Sequence, residues 1–181
     1  MKIREINAMR GPNYWSVRRH KLIVMVLDLE KMEDYPSNKI PGFIDRLKEM
    51  FPTMYSHRCG FFQRVEEGTW MGHIIEHIAL EIQTLAGMDT GFGRTRDYGE
   101  VGVYNVVFSY MEESVGRYAA EVSVKICEAL IAAETYDLDP DIQRMRELRE
   151  SSRLGPSTGS IVEEAESRGI PRIRLNQYSL C

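Results

Sequence analysis

Residues 2–10, KIREINAMR, alternate between apolar and polar side chains, the two-residue period of a half-buried strand. GPNYW (11–15) follows with turn-forming residues, and then KLIVMVLDL (21–29) packs aliphatic and β-branched residues almost without interruption. Such a short, dense run predicts a central strand. MEDYPSNKIPG (32–42) reads as a loop whose end opens a helix, GFIDRLKEMF (42–51). From Gly68 to Leu85 the period lengthens to that of a helix. Ile75, Ile78, Ile82 and Leu85 form an apolar stripe, Thr69 is placed to cap the start, and Gly87 to end it. GFGRTRDYGEVG (91–102) predicts a glycine-rich, charged loop or an irregular hairpin. VGVYNVVFSYM (101–111) predicts a strand. Residues 112–134 form a long helix with an acidic first turn, as the helix dipole favours. DPDIQRMRELRESSRL (139–154) is a shorter, strongly charged helix. This order predicts an α+β fold: a small β-sheet with helices packed on one face.

The pattern changes near residue 152. GPSTGSIVEEAESRGIPRIRLNQYSL (155–180) opens with a turn, continues as a helix capped near Ser157, and predicts a strand after Ile170-Pro171. The chain of 181 residues thus divides into a domain over 1–151 and the beginning of another unit over 152–181. A formal net charge of −4 argues against a nucleic-acid-binding surface over the whole molecule. No apolar run reaches the roughly 20 residues that cross a bilayer. The first residues lack the apolar stretch of a secretion signal, and Cys59, Cys127 and Cys181 lack metal-type spacing. A cytoplasmic protein with reduced thiols, binding neither membrane nor nucleic acid, is expected.

The stretch GHIIEHIALE (72–81) carries the most distinctive chemistry. Residues four apart share a helix face, so His73 and His77 are placed to grip one metal ion through neutral imidazoles. Glu76 lies beside them, in position to accept a proton from a water that the ion polarises. This H-x-x-E-H order is the reverse of the commoner H-E-x-x-H zinc motif. Zinc suits such a site because imidazole ligation lowers the pKa of its water to about 7. The competing reading is two half-exposed histidines on the wet face of an amphipathic helix. Glu81 is too far along the helix to share an ion with His73, so it is read as orienting a histidine or contacting substrate. A third ligand would come from another element, with Glu112, Glu113 and Glu121 as candidates.

Arg94 and Arg96 lie among glycines just beyond this helix. Their planar guanidinium forks suit carboxylates, and glycines allow a ligand to approach the backbone. The alternative is a solvated turn. Arg18, Arg19 and Lys21 beside Tyr14 and Trp15 carry the same ambiguity.

Taken together, RGPNYWSVRRHKLIVMVLDL (10–29), PSNKIPGF (36–43), EGTWMGHIIEHIALEIQTLAGM (67–88), GFGRTR (91–96), YNVVF (104–108) and GRYAAE (116–121) resemble the N-terminal domain of cyanophycin synthetases. LGPSTGSIVEEAESRGIPRIRLNQYSL (154–180) resembles the segment entering that family's ATP-grasp domain. The resemblance implies a ligase that uses ATP, with Mg, to build cyanophycin, a polyaspartate backbone with an arginine on every side chain. An ATP-grasp domain adds aspartate and a Mur-ligase-like domain adds arginine, in a homo-oligomeric enzyme; neither catalytic domain lies within these residues. It further implies that residues 1–151 hold the growing polymer. In some members this domain also cuts polymer into primers, at a metallopeptidase-like site matched by His73, Glu76 and His77. Arg94 matches a basic substrate-contacting position. Arg96 and Glu81 join it as candidate substrate contacts, because a nearly neutral polymer of alternating charges needs both signs close together. Relatives usually carry a longer, glycine-rich insertion where this chain reads SHRCGFFQRV (56–65).

Overall fold

The computed structural model describes residues 1–18, 21–56, 60–152, 155–170, 174–176 and 179–180. Four antiparallel strands form its main sheet, in the order β1 (Lys2–Met9), β2 (Leu22–Asp28), β4 (Val103–Ser109), β3 (Gly93–Asp97). β2 is buried along nearly its whole length, which explains its unbroken aliphatic sequence: both faces of a central strand need apolar side chains. Successive side chains point to opposite faces. Ile23, Met25 and Leu27 enter the main core with Val106 and Phe108, whereas Leu22, Val24 and Val107 form a smaller cluster on the outer face, covered by Met9, Trp15 and Phe92.

Helices cover the inner face. α1 (Phe43–Met50), α2 (Pro52–Ser56) and α3 (Phe61–Glu67) precede α4 (Met71–Leu85), and α5 (Glu113–Ala132) lies against α4. α6 (Asp139–Ser152) packs on α5, where Asp141 accepts hydrogen bonds from Tyr118 and Tyr136, both at 2.6 Å. The expected α+β sheet with helices on one face is the observed one. α7 (Pro156–Ser167) follows, and then a short pair, β5 (Arg174–Asn176) and β6 (Ser179–Leu180). The strand expected after Pro171 corresponds to β5; Pro171, Arg19 and Cys59 lie outside the described residues.

Three local differences from the sequence reading matter. The 91–102 segment is a regular β3–β4 hairpin. α3 is a helix that the sequence reading did not predict. The N-cap of α4 is Trp70, with no side-chain cap bond, and the Thr69 hydroxyl turns to His73 instead. The far end of α4 closes as expected: Gly87 takes φ +86°, the Gly87 N–H bonds Thr84 O, and the Met88 N–H bonds Gln83 O.

Candidate functional site

α4 is buried around most of its circumference, against the sheet on one side and α5 on another. Glu76 therefore sits in the interior at 4% exposure, an unusual place for a carboxylate. Two neighbours make room for it. Thr95, on the inner face of β3, donates its hydroxyl to Glu76 Oε2 at 2.6 Å. Gly93, two residues earlier on the same face, leaves the space that the carboxyl fills; a Cβ there would lie 2.8 Å from the Glu76 carboxyl carbon.

His73 and His77 share the face expected of an i, i+4 pair, with ring centroids 4.9 Å apart and planes nearly perpendicular. His73 Nδ1 lies 3.1 Å from Thr69 Oγ1. With Nδ1–H donating to that hydroxyl, Nε2 carries the lone pair a metal would use. Phe61 of α3 stacks on the His77 ring at 4.1 Å and meets His73 edge-on at 5.5 Å. Glu76 Oε1 approaches His77 Nε2 to 3.9 Å.

Burial governs how these groups ionise. It pushes the Glu76 carboxyl up to about 7, although the Thr95 hydrogen bond and the positive fields of Arg96, Arg64 and Arg94 pull the other way. Burial brings His73 down to about 4, with Arg64 adding to the effect. It brings His77 down to about 3, assisted by His73 and Arg64. Near neutral pH the site holds two neutral imidazoles and a carboxyl group poised between its two protonation states.

These donors suit zinc in kind, and His73 and His77 are the residues that would hold it. The candidate third donors lie elsewhere. Glu113 is bound by Arg10 at 2.6 Å and by Arg117 at 3.0 Å. Glu112 caps the start of α5, and Glu121 is exposed along it. Among the described residues no three His, Cys, Asp or Glu side chains surround one metal position. Glu81, further along α4, accepts a hydrogen bond from the Thr53 hydroxyl of α2 rather than touching either histidine.

The arginines occupy different ground. β3 pairs Arg94 with Val107 and Arg96 with Asn105, so both side chains belong to the outer face, while Thr95 opposite Val106 belongs to the inner one. Arg94 donates to Trp15 O at 3.2 Å, and its guanidinium lies 5.7 Å from the centre of the Phe92 ring. Arg96 donates to the Thr95 carbonyl at 3.1 Å. Arg94 and Arg18 line a cavity of about 750 Å³ together with Lys21, Asp89 and the rings of Trp15 and Phe92. The edge strand thus separates the histidine–glutamate cluster from the arginine cavity. Sequence reasoning missed Thr95, Gly93 and Thr69 on one side and Asp89 on the other. For Thr95 and Gly93 the signal was present: read as a strand, GRTRD places the two arginines on one face and Gly93 and Thr95 on the other.

The sequence that builds this α+β domain and its H-x-x-E-H helix matches a known family. The profile of the cyanophycin synthase-like N-terminal domain covers residues 24–132. The chain is 51% identical to the cyanophycin synthetase of Trichormus variabilis, across 97% of its own length and 20% of that protein's. It is 51% identical to the Geminocystis herdmanii enzyme and 49% to that of Synechocystis sp., in each case over 99% of the chain and 22% of the relative. The chain therefore belongs to the cyanophycin synthetase N-terminal domain family, and spans about a fifth of the curated relatives it matches.

Proposed function

We propose that this domain holds the Asp/Arg polymer for a synthetase in which ATP-grasp and Mur-ligase-like units carry out ATP-dependent synthesis, and that the outer face of the sheet is its grip. The observation that carries this reading is the cavity that combines Arg94, Arg18 and Lys21 with Asp89 beside aromatic rings. A near-neutral zwitterionic polymer is matched by such a mixture better than by a field of one sign. Arg94 is the residue to test. Losing a charge-assisted hydrogen bond costs about 1.5–3 kcal/mol, so Arg94→Ala should weaken retention on insoluble polymer about ten- to a hundredfold. Equal retention of the folded variant and the wild type rejects the assignment.

A second activity, cutting the polymer backbone, is favoured by geometry: His73 and His77 share one helix face with ring centroids 4.9 Å apart, and Glu76 Oε1 lies 3.9 Å from His77 Nε2. A general base must lie within reach of the proton it abstracts, and Glu76 is the carboxyl beside this imidazole pair. A zinc ion held by His73 and His77 would supply Lewis acidity. Thr95 fixes Oε2, and Oε1 is the oxygen on the His77 side. That oxygen takes a proton from the attacking water as the water oxygen bonds to the aspartyl carbonyl carbon. It returns the proton to the amine as the C–N bond breaks. Glu76→Gln keeps the shape and removes the base, so polymer shortening should fall by about 10²–10⁴-fold with metal content retained. His73→Ala should lose the metal itself. Cleavage that survives both Glu76→Gln and chelation excludes the mechanism, and absence of cleavage by the wild type leaves α4 without this role.

A further inference from the structure

The loop over residues 11–18 gives the outer cavity one property that its charges alone do not explain. Asn13 organises the loop: its side-chain oxygen accepts from the N–H groups of Trp15 at 3.0 Å and Ser16 at 2.9 Å. The loop thereby lays Trp15 over Leu22, Val24 and Val107. The indole N–H of Trp15 is buried and meets no acceptor among the described residues. Tryptophan N–H groups are normally paired when buried, so an unpaired one on a residue that lines a cavity calls for an explanation. An acceptor brought by a ligand, met after a small tilt of the ring, provides one.

The other lining groups indicate what that acceptor belongs to. Arg94 is oriented by the Trp15 carbonyl and the Phe92 ring, with Arg18 and Lys21 in the same wall. These groups call for a carboxylate. Asp89 lines the cavity as well and calls for a cation. The volume, about 750 Å³, is within the range of small-molecule sites. In a polymer whose aspartate β-carboxyls are joined to arginine α-amines, every branch ends in a free α-carboxylate and a guanidinium on one residue. We infer that the cavity is a subsite for one arginine branch: Arg94 and the Trp15 indole N–H take its carboxylate, and Asp89 takes its guanidinium. The subsite rests on the polymer-holding reading above and deepens it by assigning recognition to the branch and not to the polyaspartate backbone.

The test uses N-acetyl β-aspartyl-arginine with its aspartate α-carboxyl amidated, so that the arginine carries its only charges. A citrulline analogue, neutral at the guanidinium position, and polyaspartate are the comparisons. The chain has two tryptophans. In a Trp70→Phe background the emission therefore reports Trp15 alone. The arginine ligand should shift that emission and bind at least tenfold more tightly than the citrulline analogue. Asp89→Asn should remove this preference while leaving citrulline affinity unchanged, and Arg94→Ala should weaken both ligands about equally. Calorimetry without the Trp70 change checks the affinities. Retained preference in Asp89→Asn, equal binding of polyaspartate, or competition by inorganic phosphate at the same concentration overturns the branch subsite while polymer retention by the wild type still stands. Failure of the wild type to retain insoluble polymer overturns the polymer-holding reading and the subsite with it.

Discussion

Glu76, His73 and His77 pull the stability of the fold in opposite directions as pH changes. Each histidine has a folded pKa depressed below the usual 6.5, so its contribution is present above 6.5 and is lost as pH falls toward 4 for His73 and 3 for His77. Glu76 has a folded pKa raised from 4.5 to about 7, so its contribution is present below 4.5 and is lost as pH rises to 7. Between about pH 4.5 and 6.5, unfolding lets two histidines take up protons while Glu76 releases one. The net uptake of about one proton makes stability rise by about 1.4 kcal/mol per pH unit from these groups. His77→Gln removes one of the two uptakes and should bring that slope close to zero, measured by urea unfolding at several pH values against the wild type. An unchanged slope would mean that His77 is protonated in the folded state. Gly93 offers a separate test of the same cluster. Gly93→Ala forces a methyl group against the Glu76 carboxyl and should cost about 1–3 kcal/mol, as overpacking does. Glu76→Ala in the same chain should relieve most of that cost, a non-additivity that a double-mutant cycle reads directly.

The elements show why parts of the fold were legible in sequence and others were not. β2 and α4 announce themselves because burial is large and the apolar residues fall at the period of each structure. β3 does not, because its inner face is built from Gly93 and Thr95, neither of which registers as apolar, and its outer face from two arginines. The alternation is real but is written in size and charge instead of hydrophobicity. The cap of α4 failed for a different reason: Thr69 has a hydroxyl suited to capping, but a side chain four residues on, His73, engages it instead of the backbone. The histidine–glutamate spacing was legible, whereas the burial that tunes it depends on α3 and β3, which come from other parts of the chain. The end of α5 carries a testable flaw of the same local kind. Ala133 adopts φ +57°, and the Glu134 N–H bonds Ala129 O, an arrangement in which glycine is the usual occupant. The left-handed conformation costs an alanine about 1–2 kcal/mol, partly offset in glycine by its greater freedom when unfolded. Ala133→Gly should therefore stabilise the fold by about 0.5–1 kcal/mol, seen as a higher midpoint in urea with an unchanged slope.

At the scale of the whole molecule, one thin edge strand divides two chemistries. Thr95 and Gly93 face the helices and hold Glu76, while Arg94 and Arg96, their immediate neighbours in sequence, lie on the outer face, where Arg94 lines the cavity. If the outer face grips the polymer as proposed, the chain would pass around the β3 edge to reach the histidines, where Phe61 stacks on His77. Arg96 reaches across only as far as the Thr95 carbonyl, and the long-range field of Arg94 and Arg96 on Glu76 is small beside the effect of burial. Grip and cut should then be separable. Arg94→Ala should lower retention on insoluble polymer about ten- to a hundredfold while changing cleavage of a short soluble fragment, at saturating concentration, by less than about threefold. Glu76→Gln should lower cleavage by about 10²–10⁴-fold and leave retention within a factor of about two. Since sites that share no partners add within about 0.5 kcal/mol, the double variant should retain polymer as poorly as Arg94→Ala alone and cleave as poorly as Glu76→Gln alone. If Arg94→Ala instead lowers cleavage of the saturating short fragment as steeply as it lowers retention, the strand is not a divider, and Arg94 acts directly on the chemistry at Glu76.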